Sequence, residues 1–432
     1  MLFEKIGLID ENFDYRENMY VGVSGERIVY IGSDEPEPEI KDKLGESYDG
    51  KGKVLMPAFV NAHGHSPMSL LRGYGENLPL ERWLYDLVFP FEAKLYNKAV
   101  YWAQLLSMAE SIRYGIVSTS DMYFFVDDMI RAVVTSGSKA NVARSVTANG
   151  CKPSENPAIK EQRDSIIMYH GFDDGRILID SSIHAEYTND DATVAEIVEL
   201  AHKYDVGMHV HVSETAKEVE DCKQRHNGLS PVEYFNKMGA FDGRALAAHC
   251  VHVSDEDIRI LKDKKVDVAT NPISNLKLVS GICPTTKLLE NGINLCVGTD
   301  SSTSNNSLDY FEELKMFALL AKFSSNDASA MTPKQALYCG TRAGALAQGR
   351  KDCGLIKEGY KADLIVVDTE VPNLQPVHNM LNNLVYSACG KDVVLTMCDG
   401  RILYQDGEYK TIDIEKAYAE TEKARQKILS MI

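Results

Sequence analysis

The chain has 432 residues, 44% hydrophobic and 25% charged, with a formal net charge of −17; this is a soluble globular composition, with chain for about one to three domains. An acidic balance of this size excludes nucleic acid polymers and acidic membranes as partners, because both need a basic face, and leaves a small neutral or cationic substrate compatible. The chain start has no basic region followed by a long apolar one, and no apolar run approaches the roughly 18 residues of a membrane span, so a cytoplasmic location is expected.

In chain order, residues 19–23 and 27–31 alternate apolar and polar positions around Ser24-Gly25-Glu26, which predicts a β-hairpin. The acidic, proline-containing stretch 34–39 reads as a surface loop. From residue 54 the texture changes. Apolar, β-branched runs at 54–60, 116–120, 141–146, 177–183, 206–212, 245–250, 266–270 and 294–298 alternate with longer amphipathic segments. One such segment, 99–113, puts Leu105, Leu106, Met108, Ala109 and Ile112 on one helical face, and another, 193–204, follows the start signal Asn189-Asp190. Alternation of strand and helix predicts parallel strands, since parallel neighbours need a crossover, and eight repeats predict a closed (β/α)8 TIM barrel in an α/β chain. Beyond about residue 357 β texture returns at 362–368, 393–398 and 401–404, the last two joined across Asp399-Gly400, and an amphipathic helix is predicted at 414–429. The expected organisation is a barrel at 57–357 inserted into a smaller β domain built from 1–56 and 358–432. The nine cysteines are scattered without a C-x-x-C pair and are read as reduced thiols.

Active sites of parallel barrels lie at the C-terminal ends of the strands, so chemistry is sought there. The first run ends in His63-Gly64-His65, where residues two apart on an extended chain face one point. The fourth ends in His184, the fifth carries His209 and His211 and runs into Glu214, the sixth ends in His249 and the eighth in Asp300. His63, His65, His211 and Asp300 give three nitrogens and one oxygen, a set that Zn2+ accepts and Fe2+ also accepts. His211 is preferred over His209 because it lies nearer the strand end; His209 is then a barrel-interior histidine. No lysine stands at the end of the fourth run to bridge two ions, so one divalent metal ion is expected. A lone ion with open positions lowers the pKa of water. Glu214 is then placed to take a proton and hand it to a ring nitrogen, the alternative being a helix N-terminal glutamate held by the dipole. His249 is either a group that orients water or a buried core histidine, and Asp300 is assigned both a ligand and a proton-relay role.

The segments PAFVNAHGHSPMSLLR at 57–72, HVSET at 211–215, AHC at 248–250, NPISNLKL at 271–278, GTDSSTSNNSLDYFEEL at 298–314 and GLIKEGYKADLIVVD at 354–368 resemble the metal-dependent amidohydrolase superfamily. The closest branch in this resemblance is that of 5′-methylthioadenosine/S-adenosylhomocysteine deaminases, related to triazine hydrolases. The likeness covers nearly the whole chain. It implies a (β/α)8 barrel with a small discontinuous β-sandwich formed by both chain ends, one zinc or iron ion, and hydrolytic removal of an amine from a heteroaromatic ring. It also implies metal ligands at His63, His65, His211 and Asp300, a proton-shuttling Glu214 and a water-orienting His249. Substrate contacts are implied at Glu92, which would grip ribose hydroxyls, at Arg144 and at His184; Trp83 is either a pocket wall or a core residue. The expected partner is a small-molecule purine nucleoside such as adenosine, methylthioadenosine or S-adenosylhomocysteine, and a homo-oligomer is compatible with the family. Two departures limit the substrate: His184-Ala185-Glu186-Tyr187 carries a carboxylate where the family has proline, and no second arginine in 150–171 beyond the weak candidate Arg163 is available for a homocysteine carboxylate. Alternatives are another ring (guanine, a pterin, a triazine) and, from another class, a metal-binding protein without catalysis.

Overall fold

The computed structural model describes residues 1–148 and 150–432. Eight parallel strands form one sheet: β1 (Phe59–Gly64), β2 (Ile116–Tyr123), β3 (Lys139–Arg144), β4 (Ile177–Ile183), β5 (Met208–Val212), β6 (Ala245–His249), β7 (Asp267–Thr270) and β8 (Leu295–Val297), each hydrogen-bonded to its neighbours in sequence order. These strands are almost fully buried, as expected where helices cover one face and side chains fill the other.

The barrel closes between β1 and the chain after β8. Gly64 and Asp300 form a parallel bridge, the Asp300 N–H donates to the His63 carbonyl at 3.0 Å, and Asn61 exchanges two side-chain hydrogen bonds with Thr299, at 2.8 and 2.9 Å. The buried Tyr310 hydroxyl lies between the carbonyls of Val60 (2.8 Å) and Val297 (2.5 Å). Two of the predicted metal ligands therefore belong to the seam itself.

Both chain ends contribute to a second, nine-stranded mixed sheet. Its centre is Lys53–Pro57, which pairs in parallel with Leu2–Ile9 and antiparallel with Leu364–Asp368, Leu55 opposite Val366. Phe3, Ile6, Leu8, Val21, Leu55, Leu364, Val366, Leu395 and Met397 bury its face in a core separate from that of the barrel. The run predicted as one strand, 54–60, is thus two. Pro57 lacks the N–H that would extend the ladder, and after Ala58 the chain leaves this sheet and enters the barrel. Helices Asn97–Arg113, Asp191–Tyr204 and Ile414–Leu429 form where the apolar spacing puts them. Among the described residues no helix is long and apolar enough to cross a membrane.

A buried ion cluster ties the two bodies together. The Lys139 ammonium, on β3, lies 2.7 Å from Asp363 Oδ1 and 2.7 Å from Asp399 Oδ1, which flank strands Leu364–Asp368 and Val393–Cys398 of the second sheet. Burial works against the charge, but the two carboxylates prevail and hold the ammonium above its usual range. Removing one partner strands buried charge of the other sign, which typically costs about 3–5 kcal/mol. Lys139→Met is therefore expected to lower the unfolding free energy in urea by about that amount; a loss below about 1 kcal/mol would show that the cluster is solvated.

Candidate active site

The strand ends bring four donor atoms together. His65 presents Nδ1 to the Met122 carbonyl at 2.6 Å, and His211 presents Nδ1 to the His184 carbonyl at 2.6 Å. Carbonyls only accept, so in each neutral ring the proton sits on Nδ1 and the lone pair on Nε2. His63 Nδ1 lies 2.9 Å from His209 Nε2, which gives His209 a purpose that position along the strand did not suggest: it orients a ligand ring from behind. The inner nitrogens face one another. His65 Nε2 is 3.2 Å from His211 Nε2, and Asp300 Oδ1 is 3.2 Å from His65 Nε2 and 3.6 Å from His63 Nε2. The buried His63 Nε2 has no hydrogen-bond partner. Four donors about 2.0–2.1 Å from a common centre stand about 3.3 Å apart in a tetrahedron, so these three separations and the unpartnered His63 Nε2 fit one divalent cation. Asp300 Oδ2 is turned away and accepts from the hydroxyls of Ser274 (2.6 Å) and Ser304 (3.1 Å), which leaves Oδ1 as the ligand oxygen.

Glu214 follows from the same strand as His211. Its loop is held by Glu218, a buried carboxylate that accepts the N–H groups of Ser213 (2.9 Å) and Glu214 (2.6 Å) and completes a capping box with Thr215. Burial, and next the charge of Glu214, push Glu218 up to about 7. Burial likewise raises the Glu214 carboxyl above its usual range. Its Oε1 accepts from the Ser280 hydroxyl at 3.1 Å, and its Oε2 lies 3.9 Å from His249 Nε2. His249 Nδ1 donates to Asn275 Oδ1 at 2.8 Å; Asn271 Nδ2 lies 3.2 Å from the same nitrogen, and the shorter contact sets the tautomer, turning the Nε2 lone pair toward Glu214. Ser213, His249 and Asp300 all have left-handed backbones, at φ 52°, 74° and 58°, the kind of strain that clusters at functional sites.

These groups line a chamber with Met68, Leu80, Trp83, Leu84, Glu92 and Phe124, and the chamber opens into a groove that shares Leu80, Trp83, Leu84, Tyr187, Glu214 and Leu278 with it. Trp83 is a wall residue, 6% exposed. Glu92 sits in the wall beside the Tyr123 hydroxyl, and burial pushes its carboxyl up to about 7. His184 also lines the chamber, and burial lowers it to about 4, so its ring is neutral. Arg144 is not among the chamber-lining residues. Its Nε lies 2.6 Å from Glu161, on helix Pro157–Tyr169, and its guanidinium covers the outer side of the Phe124 ring; the unfamiliar stretch 150–171 supplies the carboxylate that holds it there. Arg163 is on the same helix, exposed and paired with Asp164. Glu186 turns away from the chamber, takes a bidentate bond from Arg225 and lies 2.7 Å from His226 Nε2. It joins its turn to helix Ala216–Arg225, which accounts for a carboxylate at a position where the sequence resemblance leads one to expect proline.

Sequence reasoning missed Glu218, Ser274, Asn275, Ser280 and Ser304. Glu218 alone had a local signal, the T-x-x-E spacing of a capping box; Ser274, Asn275 and Ser280 act through contacts 26 to 66 residues away in sequence, and Ser304 reaches back four residues to Asp300.

The chain matches the amidohydrolase family over residues 54–403. It is 44% identical over 382 residues to a 5-methylthioadenosine/S-adenosylhomocysteine deaminase of Dictyoglomus thermophilum, covering 88% of this chain and 89% of the relative. It is 39% identical over 404 residues to a 5′-deoxyadenosine deaminase of Methanocaldococcus jannaschii, covering 93% and 94%. Among solved structures, an adenosine deaminase from Xanthomonas campestris with bound zinc superposes with a TM-score of 0.93 at 30% identity, covering 99% and 98% of the two chains. Mass spectrometry of the native protein is expected to find one divalent ion per chain and none in His211→Ala; a second ion per chain, or an unchanged ion in the variant, would contradict the four-donor site.

Proposed function

The chain belongs to the amidohydrolase family, and from that premise we propose that it deaminates an adenine nucleoside or 5′-thionucleoside by hydrolysis, water and nucleoside giving ammonia and the inosine analogue. In this reading 57–357 is the catalytic unit and 1–56 with 358–432 the flanking β domain. His63, His65, His211 and Asp300 would hold the ion, with zinc the proposed metal; when bound, such an ion lowers the pKa of water and offsets negative charge that develops on it. Glu214 takes a proton from the attacking water and delivers it to the ring nitrogen next to the amine-bearing carbon. His249 orients that water through Nε2. Asp300 relays the second proton toward the departing amine.

The observation that carries the nucleoside reading is Glu92, a second buried carboxylate that lines the same chamber as Glu214. The Tyr123 hydroxyl supplies it one donor; a flat ring without a sugar leaves its remaining acceptor positions empty, whereas two ribose hydroxyls fill them. The neutral His184 ring and Trp83 complete the wall around ring and sugar. The outer groove bears on the 5′ substituent. Its three cations are already paired, Lys277 with Glu76 (3.0 Å), Lys217 with Asp221 (2.6 Å) and Arg225 with Glu186 (2.5 Å). An incoming amino-acid carboxylate has to compete with the acidic partner of whichever cation it meets, while a methylthio group or the 5′-hydroxyl of adenosine needs no cation beside Leu278, Val279 and Tyr85. Adenosine and methylthioadenosine are therefore favoured over S-adenosylhomocysteine.

Ammonia release from the three nucleosides is the test. Turnover of adenosine or methylthioadenosine with a lower kcat/KM for S-adenosylhomocysteine is expected, and release only from a ribose-free ring would contradict the reading. The Glu92 carboxyl, raised to about 7, is ionised above that pH and protonated below it. Because accepting from two hydroxyls needs the ionised form, KM should rise as pH falls through about 7, and Glu92→Gln should lose that limb; a KM flat between pH 5.5 and 8.5 would remove Glu92 from sugar binding.

A further inference from the structure

Ser280 lies outside every motif assigned a role above, yet it is the residue that holds the Glu214 carboxyl. It is 5% exposed, and its hydroxyl donates to Glu214 Oε1 at 3.1 Å. Its backbone is fixed at both ends: the N–H donates to the Asn275 carbonyl at 2.8 Å, and the carbonyl accepts from His252 Nε2 at 2.7 Å. The His252 N–H in turn donates to the Ser213 carbonyl at 2.9 Å, in the loop that carries Glu214. One short turn therefore reaches both the water-orienting His249, through Asn275, and the proton carrier Glu214, through Ser280.

The residue before Ser280 shows what the turn is built for. Val279 has φ 58°, a conformation in which a β-branched side chain is a true outlier, kept only where the surroundings over-determine it. Its side chain is 86% exposed, so burying the valine does not explain the strain. Val279 follows the C-cap of helix Pro272–Lys277, and its left-handed backbone lets the Ser280 N–H close back on the Asn275 carbonyl and end that helix; the same turn leaves Leu278 in the chamber wall and Ser280 against Glu214.

We propose that Ser280 is a positioning residue for proton transfer: by holding Oε1 of Glu214 it assigns Oε2, the oxygen facing His249, as the atom that carries the proton from water to ring. The proposal rests on Glu214 being the proton carrier. Without the hydroxyl, both carboxylate oxygens are free to rotate into the chamber, and a displacement of about 1 Å at a reacting group can cost about 100-fold in rate. The inference concerns kcat, since Ser280 is not among the residues that line the chamber.

The experiment compares Ser280→Ala, Ser280→Thr and Glu214→Gln with the native holoenzyme, measuring kcat, KM, melting temperature and bound metal. Ser280→Ala should lose about 10- to 100-fold in kcat, with KM, melting temperature and metal content unchanged, and Ser280→Thr, which keeps the hydroxyl, should recover most of kcat. A native kcat in Ser280→Ala, or equal losses in the alanine and threonine variants, would overturn the assignment while leaving the deaminase reading intact if Glu214→Gln is inactive. An active Glu214→Gln would instead overturn the role of Glu214 on which the assignment rests.

Discussion

Everything around the mouth of the barrel answers to one electrostatic constraint: four donor atoms face a common centre, with His65 3.2 Å from both His211 and Asp300 and His63 3.6 Å from Asp300. Neutral imidazoles whose Nδ1 protons are committed to carbonyls cannot hydrogen-bond to each other through Nε2, and a carboxylate oxygen among them adds negative charge in a place water barely reaches. Such an arrangement is costly without a cation at its centre. The surrounding structure keeps the donors facing inward. The Met122 and His184 carbonyls hold two of the rings, His209 holds the third, and Ser274 with Ser304 turns the Asp300 carboxylate.

The same constraint explains why the site sits where the barrel closes. His63 and Asp300 share a backbone hydrogen bond across the seam, so the register that closes the sheet also fixes the distance between ligands from its first and last strands. A sheet left open there would lose the ligand geometry along with its shape. His211 comes from β5, across the barrel, and the chain after it carries Glu214, so one strand end delivers a ligand and a proton carrier together. Among the described residues the second sheet contributes none to the chamber. Through Lys139, Asp363 and Asp399 it braces β3.

Much of this was legible in the sequence because it is written in periodicity and strand-end chemistry. Seven of the eight apolar runs lie on barrel strands to within a few residues, the run 54–60 only reaching into the first of them, and His63, His65, His211 and Asp300 meet as their places at strand ends require. The boundary at Pro57 was not legible, because one unbroken apolar run serves two sheets and hydropathy does not register a missing N–H in the ladder. Arg144 was assigned by analogy to a substrate-facing position; its partner Glu161 lies outside the segments that carry the resemblance to the family. Glu186 appeared as a stray charge beside the pocket until helix Ala216–Arg225 supplied Arg225 and His226 as its partners. Ser280 and Asn275 were invisible for a related reason. A serine or asparagine in a loop carries no signal of its own until the fold shows which side chain it meets.

The division of labour that follows is spatial. The donor set and Glu214 determine what is done to the ring, and Glu92, Trp83, His184 and the outer groove determine which ring arrives. Crystals grown with the inosine-type product, measured at the zinc absorption edge, test that division most directly. The account predicts a single anomalous peak bounded by the Nε2 atoms of His63, His65 and His211 and by Asp300 Oδ1, with the ring edge against Glu214 and the sugar hydroxyls on Glu92. A peak outside that set, or a product bound with its sugar toward the metal, would contradict it.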